Sequence, residues 1–174
     1  MPEFERFDVP LRIGVVSDTH LINAERGISD RVLKLLDGCD LIFHAGDINR
    51  QWVLDALQTV APVRAVYGNN DPIELQLRLA IDRYFQIGPH RMGLIHGHTA
   101  THAKRMTARQ RAQEGMHGVV DCVVYGHSHQ PEIETRDGLL MVNPGSPTAP
   151  RWAPFPTLAI IEIGETIDAR LIVV

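Results

Sequence analysis

Five short clusters carry the chemistry available to this chain: Asp18-Thr19-His20, Gly46-Asp47, Gly68-Asn69-Asn70-Asp71, His96-Gly97-His98 and Gly126-His127-Ser128-His129. Their side chains offer oxygen and imidazole donors, a set suited to Mn, Fe, Zn, Co or Ni, with no thiolate to bias the choice. Asp-x-His and His-x-His place two side chains on one side of an extended segment, so each pair can clamp a shared centre. Singly, each cluster is ordinary turn or cap chemistry. Jointly they call for another explanation, because each follows an apolar run that reads as a buried strand. Ligands in α/β proteins gather outside the carboxyl ends of strands.

The runs at 11–17, 41–45, 63–67 and 122–125 read as short buried strands. Residues 28–36 carry a helical stripe, with Ser29 as the candidate N-cap and Gly38 beyond the end. Residues 52–60 form a second candidate helix, stopped before Pro62. Further on, 72–80 and 103–114 are expected to be helical, the latter closed by Gly115. Segments 84–87 and 92–96 are expected to be strands around the Gly88-Pro89 turn. Arg136-Asp137-Gly138 and Gly164-Glu165 mark hairpins joining 133–135 to 139–142 and 158–163 to 167–173. The first half reads as βαβαβ with parallel strands and the tail as antiparallel. Two sheets packed face to face with helices outside would use every piece, and a single mixed sheet is the rival.

The chain has 174 residues, 44% hydrophobic and 22% charged, which fits one globular domain spanning 1–174. No apolar run approaches the roughly 20 residues needed to cross a bilayer. The first residues lack the apolar core of a signal peptide, so a cytoplasmic location is expected. Two cysteines, Cys39 and Cys122, make neither a disulfide framework nor a thiolate metal site. A net charge of −4 without a basic block argues against an extensive nucleic-acid surface. A small anionic substrate stays compatible, since bound cations supply local positive charge.

The five clusters, in this order, resemble those of the calcineurin-like metallophosphoesterases. The short chain and Asn143-Pro144-Gly145-Ser146 look more like the small prokaryotic, YfcE-like phosphodiesterase branch. The resemblance covers residues 11–151. It implies a four-layer α/β/β/α sandwich of two mixed sheets flanked by helices, with a centre of two divalent metal ions. Asp18, His20, Asp47 and His129 would hold one ion, and Asp47, Asn69, His96 and His127 the other, with Asp47 bridging. The resemblance favours Asn69 over Asn70 and His96 over His98 as ligands. It points to manganese, while nickel, cobalt, iron or zinc would suit the same donors.

The implied reaction is hydrolysis of a small phosphodiester by a water that the two metals bridge and acidify. Asp47 and Asn69 would act at the reacting phosphate, and Asp71 would orient a neighbour. Many relatives carry a histidine after the ligand asparagine, proposed to protonate the leaving group. Here that position is Asn70, and an amide is no general acid near neutral pH. His98 and His20 are the candidates to compensate. Arg151 is a candidate contact for an anionic substrate. The rival readings are a phosphomonoesterase and a non-catalytic, metal-binding protein-interaction module of the same fold. A homo-oligomer is compatible with either.

Overall fold

A computed structural model describes residues 2–25, 27–98 and 106–174. Strands β1 (Phe4–Phe7) and β2 (Leu11–Val16) are followed by α1 (Asp30–Leu36), β3 (Leu41–His44), α2 (Gln51–Gln58) and β4 (Val63–Ala65). Then come α3 (Ile73–Gln76), β5 (Asp82–Ile87), β6 (His90–Ile95), α4 (Ala108–Met116) and β7 (Cys122–Tyr125). The hairpins β8 (Glu132–Arg136) with β9 (Leu139–Asn143) and β10 (Thr157–Ile163) with β11 (Ile167–Val173) complete the order.

The strands form two mixed sheets, β1-β5-β6-β7-β9-β8 and β11-β10-β2-β3-β4. The inner faces meet in a core that includes Ile13, Val15, Phe43, Phe85, Leu94 and Val124. On the outer face of the five-stranded sheet, Val32 and Leu36 of α1 and Val53 and Leu57 of α2 pack against Val16, Ile42 and Ile160. On the outer face of the six-stranded sheet, Ala108, Ala112 and Met116 of α4 pack against Val123, Tyr125 and Met141. These layers are the expected α/β/β/α sandwich. Strands buried on both faces explain why so many runs are continuously apolar rather than alternating.

Local signals explain the elements. Ser29 caps α1 by accepting from the Val32 amide. Thr107 and Gln110 form a reciprocal capping box on α4. That box corrects the expected start of the helix, and the helix also runs past Gly115 to Met116; residues 103–105 lie outside the described residues. The expected helix over 72–80 contracts to one turn, because Ala80 is drawn into a bridge with Val66 and accepts from the Tyr67 amide. The tail is not wholly antiparallel: β7 pairs in parallel with both β6 and β9, and only the hairpins and the β5–β6 and β2–β10 pairs run antiparallel. Strand β1 was not anticipated; it pairs in parallel with β5 at the sheet edge.

The parallel strands β2, β3 and β4 of one sheet and β6, β7 and β9 of the other end at the same edge of the molecule. Every cluster singled out in the sequence follows one of these ends.

Candidate metal centre

Two groups of three side chains gather at that edge. Asp18, His20 and His129 form one, and Asp47, His96 and His127 the other; within each, the donor atoms lie within 4.8 Å of one another. Asp18, Asp47, His96 and His129 are buried, and His20 and His127 are half-buried. Asp47 faces both groups, with Oδ1 3.4 Å from His96 Nε2 and Oδ2 3.4 Å from His20 Nε2. Asp18 Oδ1 lies 3.4 Å from His129 Nε2 and 4.0 Å from His20 Nε2.

The backbone is bent to bring this about. Among the described residues, positive φ at non-glycine positions includes Asp18 (53°), His20 (47°), Asp47 (57°), His127 (69°) and His129 (58°). The left-handed region costs an L-residue energy that is retained where the surroundings over-determine the conformation, commonly at functional sites. Two glycines allow the close approach. A Cβ at Gly68 would collide with the Asp47 carboxylate, and one at Gly126 with Ser17 Oγ and, at 2.8 Å, Asp18 Oδ2.

Neighbouring polar groups fix each side chain. Asp18 Oδ2 accepts from Ser17 Oγ at 2.6 Å and from the His127 amide at 2.9 Å. His96 Nδ1 pairs with the Ala45 carbonyl at 2.6 Å, and His129 Nδ1 with the Ala149 carbonyl. Since a carbonyl only accepts, both rings carry hydrogen on Nδ1 and turn Nε2 inward. His20 and His129 stack with ring centroids 5.0 Å apart and Nε2 atoms 3.1 Å apart.

This donor set fits divalent cations. Among the described residues, Asp18 Oδ1 and His96 Nε2 are buried without a hydrogen-bond partner, which is costly for a protein group that has nothing else to bind. Burial holds His127 and His129 down to about 4 and also lowers His20, so these imidazoles are neutral and available as ligands at pH 7. Burial pushes Asp18 up to about 6. Against the cost of burial, the nearby His96 ring and hydrogen bonds from Asn70 keep Asp47 well below the usual carboxylate range. His96 is correspondingly raised, its burial outweighed by Asp47 and Asp18.

The remaining sequence candidates fall around the centre. Asn69 is exposed, and the amide that reaches Asp47 is that of Asn70, donating to Oδ2 at 2.7 Å while the Asn70 backbone donates to Oδ1 at 2.8 Å. Asp71 is buried and accepts from the backbone amides of Asp47, Ile48, Asn49 and Gly68, so its carboxylate ties the β3 and β4 loops together. His98 is half-buried beside His96 and Tyr67, and burial lowers it to about 4. It is therefore a neutral hydrogen-bonding group near pH 7, not an imidazolium acid.

Sequence reasoning missed several supports. His44 is fully buried; its Nδ1 accepts from the Gly46 amide, which leaves Nε2 to donate to Thr19 Oγ1 at 3.1 Å. Asn143 donates to the Gly126 carbonyl and Ser128 Oγ. Ser146 and Thr148 donate to the carbonyls of Asp18 and Thr19. The Asn143-Pro144-Gly145-Ser146 segment thus braces the metal-facing loops.

Residues 11–166 match the calcineurin-like phosphoesterase superfamily domain. The chain belongs to that superfamily. A probable metallophosphoesterase of Methanothermobacter thermautotrophicus is 37% identical over 161 residues, covering 92% of this chain and 91% of the relative. A phosphodiesterase of Methanocaldococcus jannaschii is 28% identical over 149 residues, covering 78% and 83%. Among solved structures, an archaeal phosphodiesterase superposes with a TM-score of 0.74 at 24% identity, covering 94% of this chain and 100% of that one. Vps29 of Entamoeba histolytica, crystallised with zinc, superposes with a TM-score of 0.72 at 22% identity, covering 94% and 99%. These two structures share the fold with this metallophosphoesterase-family chain.

Proposed function

We propose that the protein is a metal-dependent phosphodiesterase working at a centre of two divalent cations, manganese being the first choice. One observation carries this reading: the two oxygens of Asp47 point to opposite donor groups, each 3.4 Å from a histidine Nε2. Asp18, His20, His129 and Asp47 would hold one ion. Asp47, His96, His127 and the carbonyl oxygen of Asn69 would hold the other. When bound, such a pair supplies Lewis acidity toward phosphate oxygens and acidifies a water to serve as nucleophile.

The chain's own residues do the positioning. The Ala45 and Ala149 carbonyls hold the His96 and His129 rings. Ser17 and the His127 amide hold Asp18 in one rotamer. Asn70 steadies Asp47 through two hydrogen bonds. His98, neutral near pH 7, presents an N–H to a phosphate or leaving-group oxygen, stabilising it without delivering a full proton. Asn70 stands where many relatives have a histidine, so diesters with good leaving groups should be the better substrates. The name of the 28% identical phosphodiesterase supports the diester class.

The test is hydrolysis of bis-p-nitrophenyl phosphate by chelated protein with Mn²⁺, Ni²⁺, Co²⁺ or Zn²⁺ restored, beside p-nitrophenyl phosphate. Activity should return with metal, favour the diester, and drop about 100-fold or more in Asp47→Asn. A faster monoester would make the protein a phosphomonoesterase. Two tightly bound metals with no hydrolysis of either ester would favour an interaction module of the same fold.

A further inference from the structure

The segment between β9 and β10 carries more than braces. Its backbone is fastened to the centre: Ser146 Oγ donates to the Asp18 carbonyl, Thr148 Oγ1 to the Thr19 carbonyl, and the Ala149 carbonyl accepts from His129. Immediately after these anchors the chain makes a turn, in which the Ala153 amide donates to the Pro150 carbonyl at 2.9 Å. The two corner residues are Arg151 and Trp152.

Both corners are unusual. Arg151 holds a left-handed backbone (φ 51°), a conformation disfavoured for a side chain of its kind, and it is exposed. Trp152 is 91% exposed. Tryptophan is highly buried on average, so a bare indole held on a braced turn beside a catalytic edge points to a ligand. Apolar neighbours share that edge. Ile22, 65% exposed, follows His20 by two residues, and Phe155, 58% exposed, lies two before the start of β10. Strand β10 runs antiparallel to β2, with Ala159 opposite Val15, so its start lies at the end of β2 that carries Asp18. Arg151 follows by two residues Ala149, whose carbonyl accepts from His129, so the turn sits on that side of the centre.

We propose that Arg151 and Trp152 form a substrate subsite that selects phosphodiesters bearing a planar aromatic group, such as a nucleobase. Resting on the phosphodiesterase reading, it assigns the guanidinium to the diester's negative charge and the indole to stacking on the aromatic substituent. Arginine matches phosphate oxygens with a rigid fork of donors, and a flat ring on an exposed indole gains contact whatever its hydrogen-bonding pattern. The subsite would therefore discriminate aromatic from small aliphatic substituents and be tolerant among bases.

Two substrates with one leaving group isolate the effect: p-nitrophenyl phenyl phosphate and p-nitrophenyl methyl phosphate, both assayed with the Mn²⁺-loaded enzyme. The wild type should prefer the phenyl ester in kcat/KM. Trp152→Ala should shrink that preference about tenfold, and Trp152→Phe should retain most of it. Arg151→Ala should raise KM for both esters about equally, with partial recovery in Arg151→Lys. A second readout needs no turnover. The chain has two tryptophans, so Trp52→Phe leaves Trp152 as the sole indole reporter. AMP should quench its fluorescence and ribose 5-phosphate should not. Loss of all hydrolysis with AMP quenching intact would sink the phosphodiesterase reading and leave the subsite standing. Hydrolysis with an unchanged phenyl-to-methyl ratio in Trp152→Ala, or equal quenching by both ligands, would overturn the subsite.

Discussion

Asp18 and His96 should set the acid limit of metal binding. Burial holds Asp18 at about 6, and its Oδ1 is buried with no hydrogen-bond partner among the described residues. Only the carboxylate binds a cation, so protons compete once the pH falls through that value. His96 is raised by Asp47 and Asp18 above the ordinary imidazole value, so it adds a second competing proton. His127 and His129, near 4, stay neutral until the solution is far more acid. Titration calorimetry of the metal-free protein with Mn²⁺ should show affinity falling about ten- to hundredfold from pH 7 to pH 5. An affinity constant across that range would contradict the assigned ligands. These donors were legible in the sequence because Asp-x-His and His-x-His are compact signals. Their supports were not. Ser146 reaches the Asp18 carbonyl across 128 residues and Thr148 reaches Thr19 across 129, and serine or threonine bonded to a distant backbone leaves no local pattern.

Among the elements, the loops after β3 and β4 depend on each other through Asp71. Its carboxylate accepts from four backbone amides, three in residues 47–49 and one at Gly68. These bonds hold Asp47 in its left-handed conformation and align the β3 loop with the Asn69-Asn70 turn. Asp71→Asn keeps the shape but replaces one acceptor oxygen by an NH₂ that faces amide donors. The variant should unfold about 2–4 kcal/mol more easily in urea and bind metal about ten- to hundredfold more weakly. Wild-type affinity in Asp71→Asn would reduce the residue to loop stability alone. At this scale the sequence was partly legible. Strands buried on both faces announced themselves as apolar runs, and β7 and β11 have the expected bounds. Strand β1 has only four residues and exists through its pairing with β5, a partner 80 positions away at Phe4 and Tyr84. The contraction of α3 likewise depends on the bridge between Val66 and Ala80, which no helical periodicity encodes.

Across the whole molecule, the centre is where the two sheets are joined by polar chemistry rather than by the apolar core. Asp18, His20 and Asp47 follow strands of the five-stranded sheet, whereas His96, His127 and His129 follow strands of the six-stranded sheet. A cation held by both sets is a cross-link between the two sheets, and it binds only when both are folded and docked. Linkage then requires the metal to stabilise the fold. At a hundredfold excess over Kd the gain is about 2.7 kcal/mol per independent ion. For a chain of this size each kcal/mol raises Tm by about 2–4 °C, so loading should raise it by about 5–10 °C for each ion that binds tightly. Removing Mn²⁺ with EDTA should reverse the rise. Asp47→Asn should lose most of the shift, because its two oxygens face the two donor groups. His44→Gln is the contrasting variant: it perturbs a buried brace outside the two donor groups, so its Tm should fall while most of the metal-induced shift survives. Equal melting with and without metal in the wild type would mean that the ligands of the two sheets do not share an ion, and the bridging role given to Asp47 would fall with that result.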